Sequence, residues 1–379
     1  MCGLLGLGLP VLGACRSTAK GATLLPSDKV LVIGAGAAGM TAAHLLHQQG
    51  VDVTVLEASA TYGGRMKRTT EFADFPIPTG AEWLHTKKSI LDQIVNDPAV
   101  AIDIRTQPYD FEVDYALVNG ERTSLKEVGF TIDQKFIHAT WFDFFEQYVV
   151  PGIREKIRFN QIVTEIDYSK EKVAVRTADE TYLAEKVIIT VPVKLLQQKV
   201  IRFTPDLPED KRDAIQEVTV WGGCKAFIAF SEQFYPTITG SETTATSAGH
   251  QLYYDAAYGQ QTSENILGLF AVGPAANPYL EREGGEQIGY ILAELDELFD
   301  GQATKNYVKH IFQDWTNEPY AQGAYVHYFE SWKNIRTLGK PIGDQLYFAG
   351  DAFTDGREWS SVHAAAKAAK AVVGKILCS

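Results

Sequence analysis

The chain has 379 residues, 45% of them hydrophobic and 22% charged, with a formal net charge of -12. That length can bury a sizeable core and build two domains, and the composition is that of a soluble globular protein. The acidic balance argues against a nucleic-acid binder, whose phosphates would be repelled, and suits attraction of cationic substrates.

Residues 1–27 stand apart from the rest. Residues 4–12 are apolar and glycine-rich, and Leu12-Gly13-Ala14-Cys15 resembles a bacterial lipoprotein cleavage box. The apolar run is too short to span a membrane but has the length of a signal-peptide core, although the usual basic leader is missing. The reading is an exported bacterial protein, periplasmic or membrane-anchored, with a lipid on Cys15. A tail on a cytoplasmic enzyme is the alternative, and residues 16–27 are a linker in both.

The chain is organised around residues 30–66. The β-branched run 30–33 predicts a buried parallel strand. Gly34, Gly36 and Gly39 follow at GxGxxG spacing, with Ala38 between them. These glycines serve a tight turn, close approach of backbone to a pyrophosphate, and close packing of helix on strand. A helix over 40–49 carries Met40, Ala43 and Leu46 on one face, and Gly50 stops it. A second strand, 51–56, ends at Glu57, where a carboxylate can accept from ribose hydroxyls. Gly63-Gly64-Arg65 resembles the second glycine pair of FAD-binding flavoproteins. A guanidinium pairs bidentately with phosphate oxygens, so the expected cofactor is FAD rather than NAD.

Further along, Ser89 caps a short helix ending before Pro98. Residues 111–118 and 121–125 predict a hairpin about Asn119-Gly120. Residues 131–150 read as an aromatic-rich helix stopped by Pro151, with Phe136, Trp141, Phe144, Phe145 and Tyr148 in the core. Strands are expected at 157–167, 172–177 and 186–191, and helices at 193–199 and 209–217. Residues 224–230, 251–254, 266–272 and 307–312 predict a second sheet, with an amphipathic helix at 289–299. Residues 231–250 are polar and predict a surface excursion. A strand at 345–350 and an alanine-rich helix at 362–376 close the chain. The cysteines, Cys2, Cys15, Cys224 and Cys378, show no CxxC spacing. Neither a metal site nor a disulfide framework is expected, and Cys224 reads as a small buried hydrophobe.

This order predicts an α/β fold: a Rossmann-like FAD-binding domain of glutathione-reductase type with a smaller, discontinuous α+β substrate domain. The FAD domain takes 28–88, 152–222 and 316–379, and the substrate domain 89–151 and 223–315.

With these residues in hand, the chain resembles the flavin-containing amine oxidases, the group of monoamine oxidases, polyamine oxidases and flavin-dependent histone demethylases. The likeness covers residues 29–377. It rests on the opening βαβ unit with Gly63-Gly64-Arg65, on residues 80–85, 188–192 and 315–325, and on 346–351 with 359–363. The resemblance implies that Gly80, Ala81, Glu82 and Trp83 line the flavin ring. It places Val163 against the adenine, Gly350 and Asp351 near the ribityl phosphate, and Val362 beside the pyrimidine edge. It gives Gly64 and Arg65 to the pyrophosphate. Lys225 corresponds to the lysine that holds a water near flavin N5, Tyr325 to a tyrosine presenting a π face to the amine, and His85 to a polar substrate contact. His363 reads as a structural histidine.

Ala324 stands where monoamine oxidases carry the cysteine bonded to flavin, so FAD is expected to be non-covalent. Val362 replaces one of their two tyrosines, which is closer to the polyamine oxidase and demethylase branches. The implied reaction is FAD-dependent oxidation of a small-molecule amine, a polyamine or a primary or secondary amine, with O2 as acceptor giving hydrogen peroxide. Two alternatives remain open: C–C desaturation of the carotenoid or porphyrinogen oxidase type, and a non-catalytic FAD protein.

Overall fold

The run Lys29–Ile33 is the central strand of a five-stranded sheet in a computed structural model that describes residues 28–128, 132–240 and 246–378. Its neighbours are Lys186–Ile189 and then Leu346–Phe348 on one side, Asp52–Leu56 and then Ile157–Arg158 on the other. Every pairing is parallel. Val30, Leu31 and Val32 are wholly buried, as expected of a strand covered on both faces.

The helix Ala37–Gln48 begins three residues earlier than its apolar pattern implies, because extended Gly36 starts it directly after the turn. Met40, Ala43 and Leu46 are fully buried in one core with the alanines of the last helix, Val362–Cys378. A four-stranded sheet, Thr181–Ala184, Val173–Arg176, Glu165–Asp167 and Arg202–Thr204, shares a second core with Leu31, Ile33 and Leu56.

The other large sheet has seven strands in the order Tyr307–Asp314, Gly223–Phe230, Asn265–Val272, His250–Asp255, Ile238–Gly240, Tyr115–Val118 and Glu121–Ser124. It is antiparallel except where Ile238–Gly240 meets Tyr115–Val118. Gly223–Phe230 is buried along its whole length. Its alternate residues feed two cores: Cys224, Ala226 and Ile228 face the helix Gly284–Leu298, while Phe227 and Ala229 pack towards Trp83.

Several expectations are corrected. Residues 131–150 are not one helix. Gln134–Ile137 is a strand paired with Arg105–Pro108, and the helix Trp141–Tyr148 starts only after Thr140, whose Oγ1 accepts from the Asp143 N–H at 3.3 Å. The capping residue overrides the apolar periodicity. Pro151 starts a helix, Val150–Ile153, rather than stopping one. The span 157–167 is split between two sheets, as Ile157–Arg158 and Glu165–Asp167. Within 231–250, Tyr235, Ile238 and Thr239 are buried, so this stretch is not wholly a surface excursion. Cys224 is free and buried, as its reading as a small buried hydrophobe expects.

Trp141, Phe144 and Phe145 do lie in the core, but in that of the parallel sheet, together with Ile90 and Ile94. Packing therefore crosses the boundaries drawn at 89 and 151. The signal-like segment and Cys15 lie outside the described residues. No helix among the described residues is long and apolar enough to cross a membrane.

The turn tolerates no side chain at Gly39, where a Cβ would sit 1.9 Å from the Gly34 carbonyl oxygen. Gly39→Ala is expected to cost roughly 3 kcal/mol or more in urea unfolding, since backbone rather than a flexible side chain must yield.

Candidate active site

The expected cofactor residues converge. Gly34, Gly36, Ala38, Glu57, Gly64, Arg65, Gly80, Ala81, Glu82, Trp83, Val163, Gly350, Asp351 and Val362 all line one cavity of about 880 Å³, as do Lys225, Tyr325 and His85. Gly39 is the exception. Its part is close packing of the helix behind the turn.

The cavity fits a dinucleotide at the level of individual atoms. Gly34 holds φ +102° and Gly64 φ +56°, a region that favours glycine. A Cβ on Gly36 would meet no protein atom, so the glycine leaves open the space a pyrophosphate would fill. The helix Ala37–Gln48 has no side-chain cap at Gly36 and brings its first N–H groups to the cavity. Such a terminus favours an anion. Glu57 ends its strand buried, and accepts from the Ala35 N–H at 2.6 Å, the Ser59 N–H at 2.9 Å and the Ser59 hydroxyl at 2.8 Å. These bonds hold it as an acceptor at the cavity wall.

Arg65 donates to Asp351 Oδ1 and to the Ala324 carbonyl, both at 2.5 Å. The pair joins the two glycine-rich turns, which lie 286 residues apart. A guanidinium has five donors, so others remain for phosphate. At the far side, Val362 opens the last helix, where Ser361 Oγ accepts from the Ala364 N–H at 3.2 Å.

Beyond the strip 80–83 the wall changes character. Leu252, Phe270, Val272 and Val128 supply apolar surface. Tyr325 and Tyr328 form an aromatic pair with centroids 5.4 Å apart, and the Tyr328 hydroxyl donates to that of Tyr325 at 3.1 Å. Burial and the neighbouring Tyr328 hold the Tyr325 hydroxyl well above the usual phenol range, so it stays neutral. His85 pairs through Nδ1 with Asp133, and both face the cavity.

A buried charge cluster underlies this wall. Glu82 takes hydrogen bonds from Lys135, Lys225 and the Tyr254 hydroxyl. Burial pushes its pKa up, but the two ammonium charges more than offset this and leave it below the usual carboxylate range. Burial pushes Lys225 down to about 8, with Glu82 acting against the shift. Lys225 also donates to the carbonyls of Pro78 at 2.9 Å and Gly80 at 3.2 Å. Three protein acceptors thus lie within hydrogen-bond reach of this ammonium.

Asp133, Tyr328 and Lys135 were not singled out in the sequence. Tyr328 sits outside the motif stretches, and Asp133 and Lys135 both fall inside the segment that reads as helix. Only the strand pairing of Gln134–Ile137 shows that Lys135 points inward.

A glycine-turn dinucleotide cavity opening onto an aromatic, apolar pocket defines a flavoprotein oxidoreductase fold. The family described as flavin containing amine oxidoreductase matches residues 152–377, and a NAD(P)-binding Rossmann-like domain matches 32–97. The chain belongs to the flavin containing amine oxidoreductase family. Its cofactor is FAD, and Ala324, a methyl side chain, leaves no thiol there for a covalent link.

The chain is 26% identical to lysine-specific histone demethylase 2 of Homo sapiens over 92% of its own length, but spans only 53% of that protein. It is 23% identical to polyamine oxidase 1 of Zea mays, covering 92% of this chain and 89% of that one. Among solved structures, putrescine oxidase bound to putrescine superposes with a TM-score of 0.75 at 16% identity, covering 93% and 99% of the two chains. Cyclohexylamine oxidase from Brevibacterium oxydans IH-35A gives 0.72 at 18%, covering 92% and 99%. At such identities these two structures establish the fold alone.

Two outcomes follow from this geometry. Arg65→Met should weaken FAD binding by roughly tenfold or more, read by quenching of flavin fluorescence, because charge-assisted bonds are lost. His363 is buried and its pKa is pushed down to about 4 by desolvation, against the pull of Glu358. The unfolded chain therefore binds a proton between pH 6.5 and 4 that the folded chain does not, and stability falls as pH drops through that window. His363→Gln should flatten this acid limb by on the order of 2 kcal/mol in urea titrations at pH 4.5 and 7.

Proposed function

We propose that this protein oxidises an amine at the carbon bearing its nitrogen, yielding an imine that water then hydrolyses. The observation that carries this reading is the continuity of one cavity, from the glycine turns and Glu57 at one end to Tyr325, Tyr328 and Asp133 at the other. Bound FAD supplies the redox chemistry as acceptor of two electrons from the amine. The chain's own residues do the rest. Tyr325 and Tyr328 present neutral aromatic surface on which an amine can rest. Leu252, Phe270 and Val272 exclude water and disfavour the ammonium form, which favours the electron-rich neutral amine. Asp133, with His85, offers a negative site towards which a cationic substrate is drawn. His363 stays neutral and holds Ser361 at the start of the last helix through a 3.2 Å contact.

The relatives' names cover histone lysine, polyamines, putrescine and cyclohexylamine, so the particular amine is set by this chain's own pocket. We take O2 to be the electron acceptor. The test is anaerobic mixing of the FAD-loaded protein with polyamines, monoamines and amino acids in turn, watching the flavin visible absorbance. Bleaching by one amine class, reversed by air with release of peroxide, is the expected result. Bound FAD that no amine bleaches would overturn the proposal.

A further inference from the structure

Tyr325 stands on a short strand, Tyr325–Val326, which forms a two-stranded sheet with Val220–Trp221, apart from the larger sheets. A two-stranded ladder is marginal by itself, so further contacts must fix how this strand lies. Those contacts come from the cofactor side. The two carbonyls that flank Tyr325 are taken by different donors: Arg65 donates to Ala324 O, and the Ser360 hydroxyl donates to Val326 O, both at 2.5 Å. Both donors are in turn fastened to one residue, Asp351. Arg65 reaches its Oδ1 at 2.5 Å, and the Ser360 N–H donates to its carbonyl at 3.0 Å. A closed ring of contacts results, running from Asp351 through Arg65 to Ala324, along Tyr325 to Val326, and back through Ser360. Trp359 Nε1 adds a bond to the next carbonyl, His327 O, at 3.0 Å.

Ser360 is held at φ +61°. A residue with a Cβ adopts this region rarely and at a cost, and such strain persists only where neighbours over-determine it. Here the hydroxyl and the N–H of one half-buried residue serve two segments at once. Glycine would ease the conformation but supply no hydroxyl. We propose that Ser360 is a positioning residue: it fastens Tyr325 to the turn that carries Asp351, so the aromatic face offered to substrate is set from the cofactor end of the cavity. The part this plays in amine oxidation rests on the function proposed above, but the ring of contacts does not. Ser361, one residue on, is the control. Its hydroxyl accepts from the Ala364 N–H at 3.2 Å and meets His363 at 3.2 Å, so it serves the last helix rather than the tyrosine strand.

The test is amide hydrogen exchange of residues 324–327 in the full chain without FAD, for Ser360→Ala, Ser360→Gly and Ser361→Ala. In this segment the Ala324 N–H donates to Trp221 O at 2.8 Å and the His327 N–H to Thr219 O at 3.2 Å. Both Ser360 variants are expected to speed exchange there by roughly fivefold or more. Ser360→Gly should do so with little change in melting temperature, since relief of the positive φ offsets the lost bond. Ser361→Ala should leave the segment within about twofold of wild type. Loosening by Ser360→Ala alone would overturn the proposal and leave Ser360 a purely conformational part, and unchanged exchange in both variants would overturn it outright. The FAD-loaded protein gives an independent readout, with putrescine and cyclohexylamine as probes. Ser360→Gly is expected to lower the limiting rate of flavin bleaching by roughly fivefold or more, while FAD affinity stays within about threefold because the N–H to Asp351 is retained. Equal limiting rates in wild type and Ser360→Gly would overturn the positioning role. A wild-type protein that neither amine bleaches would count against the amine reading, while exchange without FAD would still decide whether Ser360 holds the strand.

Discussion

The cofactor half of the molecule depends on how closely one helix can approach one strand. Ile33 ends the central strand, Gly34 turns the chain at positive φ, and Gly39 passes within contact of the Gly34 carbonyl. The turn is walled on its other side by Thr190, whose hydroxyl donates to Ile33 O at 2.7 Å and would crowd any side chain on Gly34. Two strands and a helix therefore meet at a point that only glycine fits. That meeting aims the free N–H groups of Ala37–Gln48 at the cavity, and the surrounding residues are placed relative to it.

The substrate half is held by a different kind of force. Glu82, Lys135, Lys225 and Tyr254 are nearly or fully buried, and they come from the cofactor-side strip and three strands. Taking two ammonium groups and a carboxylate out of water is expensive, and their mutual attraction only roughly restores what desolvation removes. Such a cluster contributes little net stability over a hydrophobic equivalent. What it supplies is direction, because each donor must reach one carboxylate and no other. Apolar packing around Phe227, Trp83 and Tyr254 then fills the space those bonds define.

The cofactor side was legible because its constraints are local. Gly34, Gly36, Gly39, Glu57 and Arg65 lie in one short run, and each spacing has a single backbone consequence. The parallel strands could be read from their β-branched runs. The substrate side was less legible because its constraints are pairings between distant segments. Residues 131–150 have helical spacing of aromatics, yet Gln134–Ile137 is captured as a strand by Arg105–Pro108, a stretch with little strand character of its own. Lys225 was legible as a site residue, but its partners were not. Nothing in the spacing of Glu82, Lys135 and Lys225 indicates that three charges 143 residues apart at the extremes share one buried contact. Asp133 could have been suspected as an acid flanking an apolar run, but only the fold brings it to His85.

The parallel sheet also sets an order of events during synthesis. Its central strand is made first and its edge strand, Leu346–Phe348, more than 300 residues later. Gly350, Asp351 and Val362 follow that edge strand directly, so the cavity wall facing Arg65 is missing until residues 346–378 have left the ribosome. Until then Arg65 lacks its carboxylate, and the helix Ala37–Gln48 lacks the alanine-rich helix that covers it. The nascent chain must carry that apolar helix face exposed while the seven-stranded sheet forms in between. Cofactor loading is thereby deferred until that segment is made, and the interval before it is the one in which the chain most needs protection from aggregation.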